Sequence, residues 1–319
     1  MELRVASFNI QHGRLPDGQV DVGAVARALA PFQADVVAIQ EADRWQARSG
    51  NVDSAEVIAS GLGFDVWRYQ PGVAGAVEPA RAPGDDPGAA LLPLARAKGW
   101  TAKVRGIWTV LASRAGRRAV RTYLGVWLGR HRAAAPAADT VPGHGIALMS
   151  RYPVTRWEHL RLPLRSLWLG GRLQVGRDDP RVALAAHIET PHGPVTVCTT
   201  HLSTHAWSNR RQLRWLVRHL SQDHARRDGA GNPVLLMGDL NIRGAEPAET
   251  TGWRDLIDSP TYPRHQPFLQ LDHVLLNPDL DGMCVAAEAE VVDLAVSDHR
   301  AVVATLQLAR ASGGNFGTA

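Results

Sequence analysis

The sequence predicts an α+β fold in which packed β-sheets are flanked by helices, and three observations carry that expectation. Short apolar runs with strand character recur along the whole chain, helical patterns are few, and strand after strand ends in a polar side chain. Polar residues gathered at strand ends place the chemistry at a rim of the sheets.

The elements follow in order. Leu3 to Ile10 alternates like a strand, Val20 to Ala30 reads as a helix, and 34–40 (Ala-Asp-Val-Val-Ala-Ile-Gln) reads as a buried strand ending at Glu41. Asp53 to Leu62 is a helix stopped by Gly63, and Phe64 to Tyr69 is a further strand. From 71 to 142 the character changes: clusters of Pro, Gly and Ala at 80–93 and 133–142 enclose a basic segment, which reads as an insertion. Strand signals resume at Gly145 to Met149, Ala183 to Glu189, Val195 to Thr200, Val234 to Met237, Asp272 to Leu276, Ala286 to Val292 and Ala301 to Gln307, with one main helix from Ser208 to Gln222. The expected organisation is a single domain over 1–308 with an insertion at about 71–142, then a frayed tail at 309–319.

The chain has 319 residues, 45% hydrophobic and 21% charged, which excludes disordered, collagen-like and disulfide-scaffold classes. Its two cysteines are too few for a disulfide framework. Cys198 lies within an apolar run as core filler, and a reducing cytoplasm is the expected compartment. The first ten residues leave no room for a secretory signal, and no uncharged apolar stretch reaches the roughly 18 residues of a spanning helix. The sequence pI is near 9.5, but the basicity is local: ten Lys and Arg and no acidic residue lie between Arg96 and Arg132. Wound as a helix, 105–130 places Trp108, Leu111, Tyr123 and Trp127 on one face and Arg114, Arg117, Arg118 and Arg121 on the other. Three uses compete for residues 96–132: a cap packed on the sheets, a peripheral contact with an anionic membrane surface, and a clamp on nucleic acid.

The residues at strand ends are Asn9, Glu41, His201, Asp239 with Asn241, Asp272, and Asp298 with His299. Burying an unpaired carboxylate costs several kcal/mol, so such a set suggests one site where cations or mutual contacts satisfy its members. Carboxylate and amide oxygens without cysteine favour Mg2+ or Mn2+.

Read in order, Ser7-Phe8-Asn9-Ile10, Gln40-Glu41, Gly145-Ile146-Ala147-Leu148-Met149-Ser150-Arg151-Tyr152-Pro153, Thr200-His201-Leu202, Gly238-Asp239-Leu240-Asn241, Leu271-Asp272-His273-Val274 and Ser297-Asp298-His299 resemble the endonuclease/exonuclease/phosphatase superfamily. This is the fold of deoxyribonuclease I, and within the superfamily the chain looks most like bacterial metal-dependent hydrolases. The resemblance covers 1–70 and 143–308 and implies a four-layered sandwich: two mixed sheets face to face, helices outside, the site at one end. It implies that Glu41 is the main Mg2+ ligand, with Asn9 and Asp298 completing or supporting the metal shell. Asp239 then positions or deprotonates the attacking water, Asn241 holds a phosphate oxygen, and His299, oriented by Asp272, stands at the scissile phosphate. His201 matches a second phosphate-facing histidine found in the deoxyribonuclease-like and sphingomyelinase-like branches. AP endonucleases use that position differently, which argues against abasic-site repair.

The implied reaction is one-step, in-line hydrolysis of a phosphodiester, with a nuclease-like activity favoured and no protein partner expected. Its alternatives are a phospholipid-headgroup or inositol-phosphate hydrolase at a membrane surface, and a non-catalytic binding module on the same fold. No Gly-x-Ser-x-Gly elbow or P-loop offers other chemistry. Arg48, Asn209 and Gln212 are long donors that could reach substrate, though Gln212 reads better as part of a solvated helix face. His12 and His205 read as loop residues near the pocket, and His187, His192 and His265 as structural or surface residues.

Overall fold

The computed structural model describes residues 2–76, 141–163, 179–191, 193–225 and 233–309, and these form one compact unit. The basic segment 96–132, His192 and the tail beyond Ala309 lie outside the described residues.

Two six-stranded sheets make the framework. The first has the order β11-β12-β1-β2-β4-β3, built from β1 (Glu2–Asn9), β2 (Val36–Arg44), β3 (Val66–Ala74), β4 (Gly143–Ser150), β11 (Cys284–Val292) and β12 (Ala301–Leu308). The second has the order β5-β6-β7-β8-β10-β9, from β5 (Val154–Arg161), β6 (Val182–Thr190), β7 (Gly193–His201), β8 (Val234–Asp239), β9 (Arg254–Asp255) and β10 (Asp272–Leu276). Both sheets are mixed: β1 runs parallel to β2 and β7 parallel to β8, while the other pairs are antiparallel.

Strand alternation sorts the side chains into layers. Leu3, Val5, Val36, Ala38, Ile146 and Leu148 of the first sheet meet Leu184, Val197, Leu235, Met237 and Val274 of the second in a central core. Truncating Leu148 or Met237 in such a core costs about 2–5 kcal/mol. On the outer face of the first sheet, Phe8, Val37 and Ile39 pack under α1 (Val22–Leu29) and α2 (Ser54–Leu62). On the outer face of the second, Cys198, Leu236 and Leu275 pack under α3 (Ala206–Ala225) through Leu213, Leu216 and Leu220. The result is a four-layered α+β sandwich, as the resemblance implies.

Local chemistry explains the helix ends. Asp21 caps α1 by accepting from the Ala24 amide, and Asp53 caps α2 by accepting from the Ala55 and Glu56 amides. Gly63 ends α2 at φ 72°, a left-handed conformation that favours glycine. β2 does not stop at Glu41: it bulges there, at φ 56°, and continues to Arg44. β3 runs to Ala74, so the first residues of the segment read as an insertion belong to the sheet. β5 is missing from the sequence reading because an edge strand with charged residues, Arg156, Glu158 and Arg161, lacks a continuous apolar signal. The short α4 (Glu246–Thr251) and α5 (Pro278–Met283) also carry too little periodicity to be read.

Candidate active site

The core alternation does not end with the apolar layer. On β1 the inward series Leu3, Val5, Ser7 continues to Asn9; on β8 Leu235 and Met237 lead to Asp239; on β10 Leu276 and Val274 lead to Asp272. Gln40 forms the step from apolar to polar, its Nε2 donating to Ser7 Oγ (3.2 Å) and across the sandwich to Thr199 Oγ1 (3.1 Å). Strand pairing sets His201 opposite Asp239 and Asp239 opposite Asp272. Gly238, preceding Asp239, sits at φ 142°, where an added Cβ would stand 2.1 Å from the Thr200 carbonyl oxygen, so no other residue fits.

Asp239 is the hub. Its Oδ1 accepts from the Asn241 amide (3.0 Å) and its Oδ2 from Asn9 Nδ2 (3.0 Å), with His201 Nε2 at 3.4 Å and His299 Nε2 at 3.7 Å. Asn9 Nδ2 also donates to Glu41 Oε1 (3.1 Å) within the first sheet, while its bond to Asp239 ties the two sheets together. His299 Nδ1 donates to Asp272 Oδ2 at 2.8 Å, fixing the imidazole and leaving Nε2 on the Asp239 side. Tyr262 packs a tilted ring on His299, centroids 4.8 Å apart. Gln11 Nε2 donates to Asp298 Oδ2 (3.0 Å), and Ser297 Oγ donates to the Asn9 carbonyl (2.7 Å).

These contacts set the charges. Burial pushes the Asp239 carboxyl up and the Asp272 charge adds to it, so Asp239 lies well above the usual carboxylate range despite His299 and Asn9. Burial works against the charged form of His299, but Asp272, Asp239 and Asp298 outweigh it and raise the imidazole to about 10. His299 is therefore a cation at neutral pH. His201 is its opposite: burial, then the charges of Arg181, His144 and His299, hold it well below the usual imidazole range, so it is neutral. Asp298 is raised, chiefly by burial and further by Glu41, whose charge it shares space with.

One polar atom each of Asp239, Asp272 and His299 lies within 4.8 Å of the others, and His299 would join them in holding a metal only by giving up its Nε2 proton. Asp272 Oδ1 is buried without a hydrogen-bond partner, an orphan acceptor that suits a cation or a donor from substrate. Glu41 and Asp298 are only half-buried and add carboxylate oxygens beside the cluster, while the buried Asn9 turns its Nδ2 to Glu41 and Asp239 and its Oδ1 to the Gln11 amide. The donor chemistry thus fits a divalent, oxygen-preferring ion.

All eight residues singled out at strand ends meet at this end of the sandwich. Asn241 has its Nδ2 turned to the Leu202 carbonyl (3.1 Å), and its own carbonyl accepts from the buried Asn209 (2.6 Å), so Asn209 holds Asn241 in place. Gln212 contradicts its reading as a solvated residue: it is fully buried, accepting from the Ser203 amide (2.9 Å) and donating to the Pro163 carbonyl (3.2 Å). Those bonds close the loop after His201, a job that helical periodicity does not reveal. His205 is exposed; His187 is bound to Glu158, and His265 is an exposed neighbour of Arg264. Gln11, Tyr262, Asp43 and His144 carry no signal in the sequence, whereas Arg48, expected there as a donor that could reach substrate, is bound to Asp43.

The model of the endonuclease/exonuclease/phosphatase family matches residues 6–299, and the chain belongs to that family. No curated protein matches it. Among solved structures, an endonuclease/exonuclease/phosphatase from Beutenbergia cavernae is similar, with 22% identity and a TM-score of 0.60 over 96% of this chain and 72% of that one. A family protein from Bacteroides thetaiotaomicron aligns at 11% identity and TM-score 0.57, covering 96% of this chain and 95% of the other. Truncated Caenorhabditis elegans TDP2 aligns at 13% identity and TM-score 0.55, covering 97% and 98%. At these identities the likeness is one of fold.

Proposed function

We propose that this protein is a Mg2+- or Mn2+-dependent phosphodiesterase that hydrolyses its substrate by in-line attack of water, with a nucleic-acid phosphodiester the favoured substrate. The observation that carries the reading is a buried Asp239, kept in reach of a cationic His299 whose other nitrogen is locked by Asp272. Asp239 orients the water and accepts its proton; its raised affinity for protons suits that task. His299 places positive charge beside the phosphoryl oxygens as negative charge builds on them, and neutral His201 and Asn241 supply donors without changing the net charge. Asn9, Glu41 and Asp298 would hold the metal ion, which when bound neutralises phosphate charge and favours departure of the leaving oxygen. Residues 1–308 form the catalytic domain in this reading, with about 71–142 as its insertion.

The test is hydrolysis of bis(p-nitrophenyl) phosphate beside p-nitrophenyl phosphate and plasmid DNA, with Mg2+, Mn2+ or EDTA. Metal-dependent diester cleavage, lost in His299→Ala, is expected. Equal activity in wild type and variant, or none in wild type on any substrate, defeats the reading.

A further inference from the structure

Past the bulge at Glu41, Asp43 faces His144 across the β2 and β4 ladder. Its buried carboxylate accepts from Arg48 Nε (2.8 Å) and Nη2 (2.8 Å), Ser49 Oγ (3.0 Å) and His144 Nδ1 (2.7 Å). A guanidinium and an imidazole are thereby fixed side by side, with 37% and 25% of their side chains exposed. One edge of each is committed to Asp43. Arg48 Nη1 and His144 Nε2 have no partner among the described residues.

This pair adjoins the active site. His12 lies in a run of three left-handed residues, Gln11, His12 and Gly13, and its buried Nδ1 has no partner. On β4 the inward series Leu148, Ile146 continues to His144, and opposite it Asp43 stands two residues past Glu41, so the pair extends the rim that carries Glu41. Burial, then the charge of Arg48, also lowers His12. Glu41 acts on Arg48, and His144 acts on His201, in the same way. A carboxylate that only fastened β2 to β4 would not hold a guanidinium and an imidazole side by side, each part-exposed, two residues past Glu41.

We propose that Arg48 and His144, oriented by Asp43, form a subsite for a second phosphate of the substrate, adjacent to the phosphate that is cleaved. The inference deepens the phosphodiesterase reading and rests on it. Asp43 offsets much of the local positive charge, so recognition depends on pre-set geometry: a guanidinium fork and an imidazole already aimed, with little side-chain freedom left to lose. A second phosphate can come from the next link of a nucleic-acid strand or from a phosphorylated headgroup.

Equilibrium binding by the full-length protein in EDTA separates these sources and does not depend on turnover. The probes are a thymidine dinucleotide with and without a 5′-phosphate, and glycerophosphoinositol with and without a ring phosphate. Wild type is expected to bind the phosphorylated member of one pair at least tenfold more tightly. Arg48→Met and His144→Gln should bring that ratio to within twofold of unity, while a merely structural role would weaken both members alike. The pair that responds names the source. A wild-type ratio near unity in both pairs, or a ratio retained in the variants, overturns the subsite. Thermal unfolding checks each variant, and His144→Gln alone suffices if Arg48→Met does not fold. Bis(p-nitrophenyl) phosphate has no second phosphate, so its cleavage with Mg2+ judges the phosphodiesterase reading separately.

Discussion

The two rims that meet at the site treat their carboxylates differently. On the rim of the second sheet, Asp239 and Asp272 are buried, and Asp239 is surrounded by an amide, a carboxamide and two imidazoles. On the rim of the first sheet, Glu41 and Asp298 are half-buried, with fewer donors. The backbone there is left-handed, at φ 56° for Glu41 and 69° for Ser297. A closed rim acts as a fixed electrostatic scaffold, because its groups have already exchanged water for protein partners. An open rim can exchange partners with whatever enters, at the cost of a few kcal/mol of backbone strain held in place by its neighbours.

Breaking the closed rim should have the largest effect. Asp239→Ala or His299→Ala is expected to lower turnover of bis(p-nitrophenyl) phosphate at least a hundredfold at saturating metal, with the far-ultraviolet circular dichroism spectrum of wild type. Activity within threefold of wild type would mean that the rim is structural only. Breaking the open rim should look different. Glu41→Gln is expected to raise the Mg2+ concentration for half-maximal activity about tenfold, with part of the rate recovered at high metal. Mg2+ should also raise the melting temperature of wild type more than that of Glu41→Gln; equal shifts would place the ion elsewhere.

The smallest effect concerns a carboxylate away from both rims. Burial raises Glu158, but His187, Arg156 and His219 outweigh it and hold it low, at about 2. A depressed carboxyl contributes stability that is complete above its ordinary range near 4.5 and is lost as pH falls through about 2. Wild type should therefore lose more stability than Glu158→Gln between pH 5 and pH 2 in denaturant titrations. Parallel losses would show that the cluster contributes nothing through charge.

Much of the fold is legible in the sequence. The β10 strand runs from Asp272 to Leu276 as its apolar pattern implies, and Asp53 and Gly63 bound α2 as cap and stop. That the eight polar residues gather in one place is legible because polar side chains at the ends of apolar strands have no use in a core. Glu41 is not the strand end that its apolar lead-in suggests, because a bulge leaves no mark in composition. Gln212 was misread because a helix pattern says which residues are polar, not which of them a neighbouring loop needs.

The sequence by itself determined every strand but β5 and β9, the alternation that faces Asn9, Asp239 and Asp272 inward, and the helix caps, since these depend on neighbours within a few residues. Only the tertiary structure decided that Asn9 joins Glu41 to Asp239 and that Asp272 makes His299 a cation while His201 stays neutral. It alone brought Arg48 and His144, 96 positions apart, onto one carboxylate. Hydrogen bonds and charge interactions act through a few ångströms of space, and it is the packing of the two sheets, not the order of residues, that sets those distances.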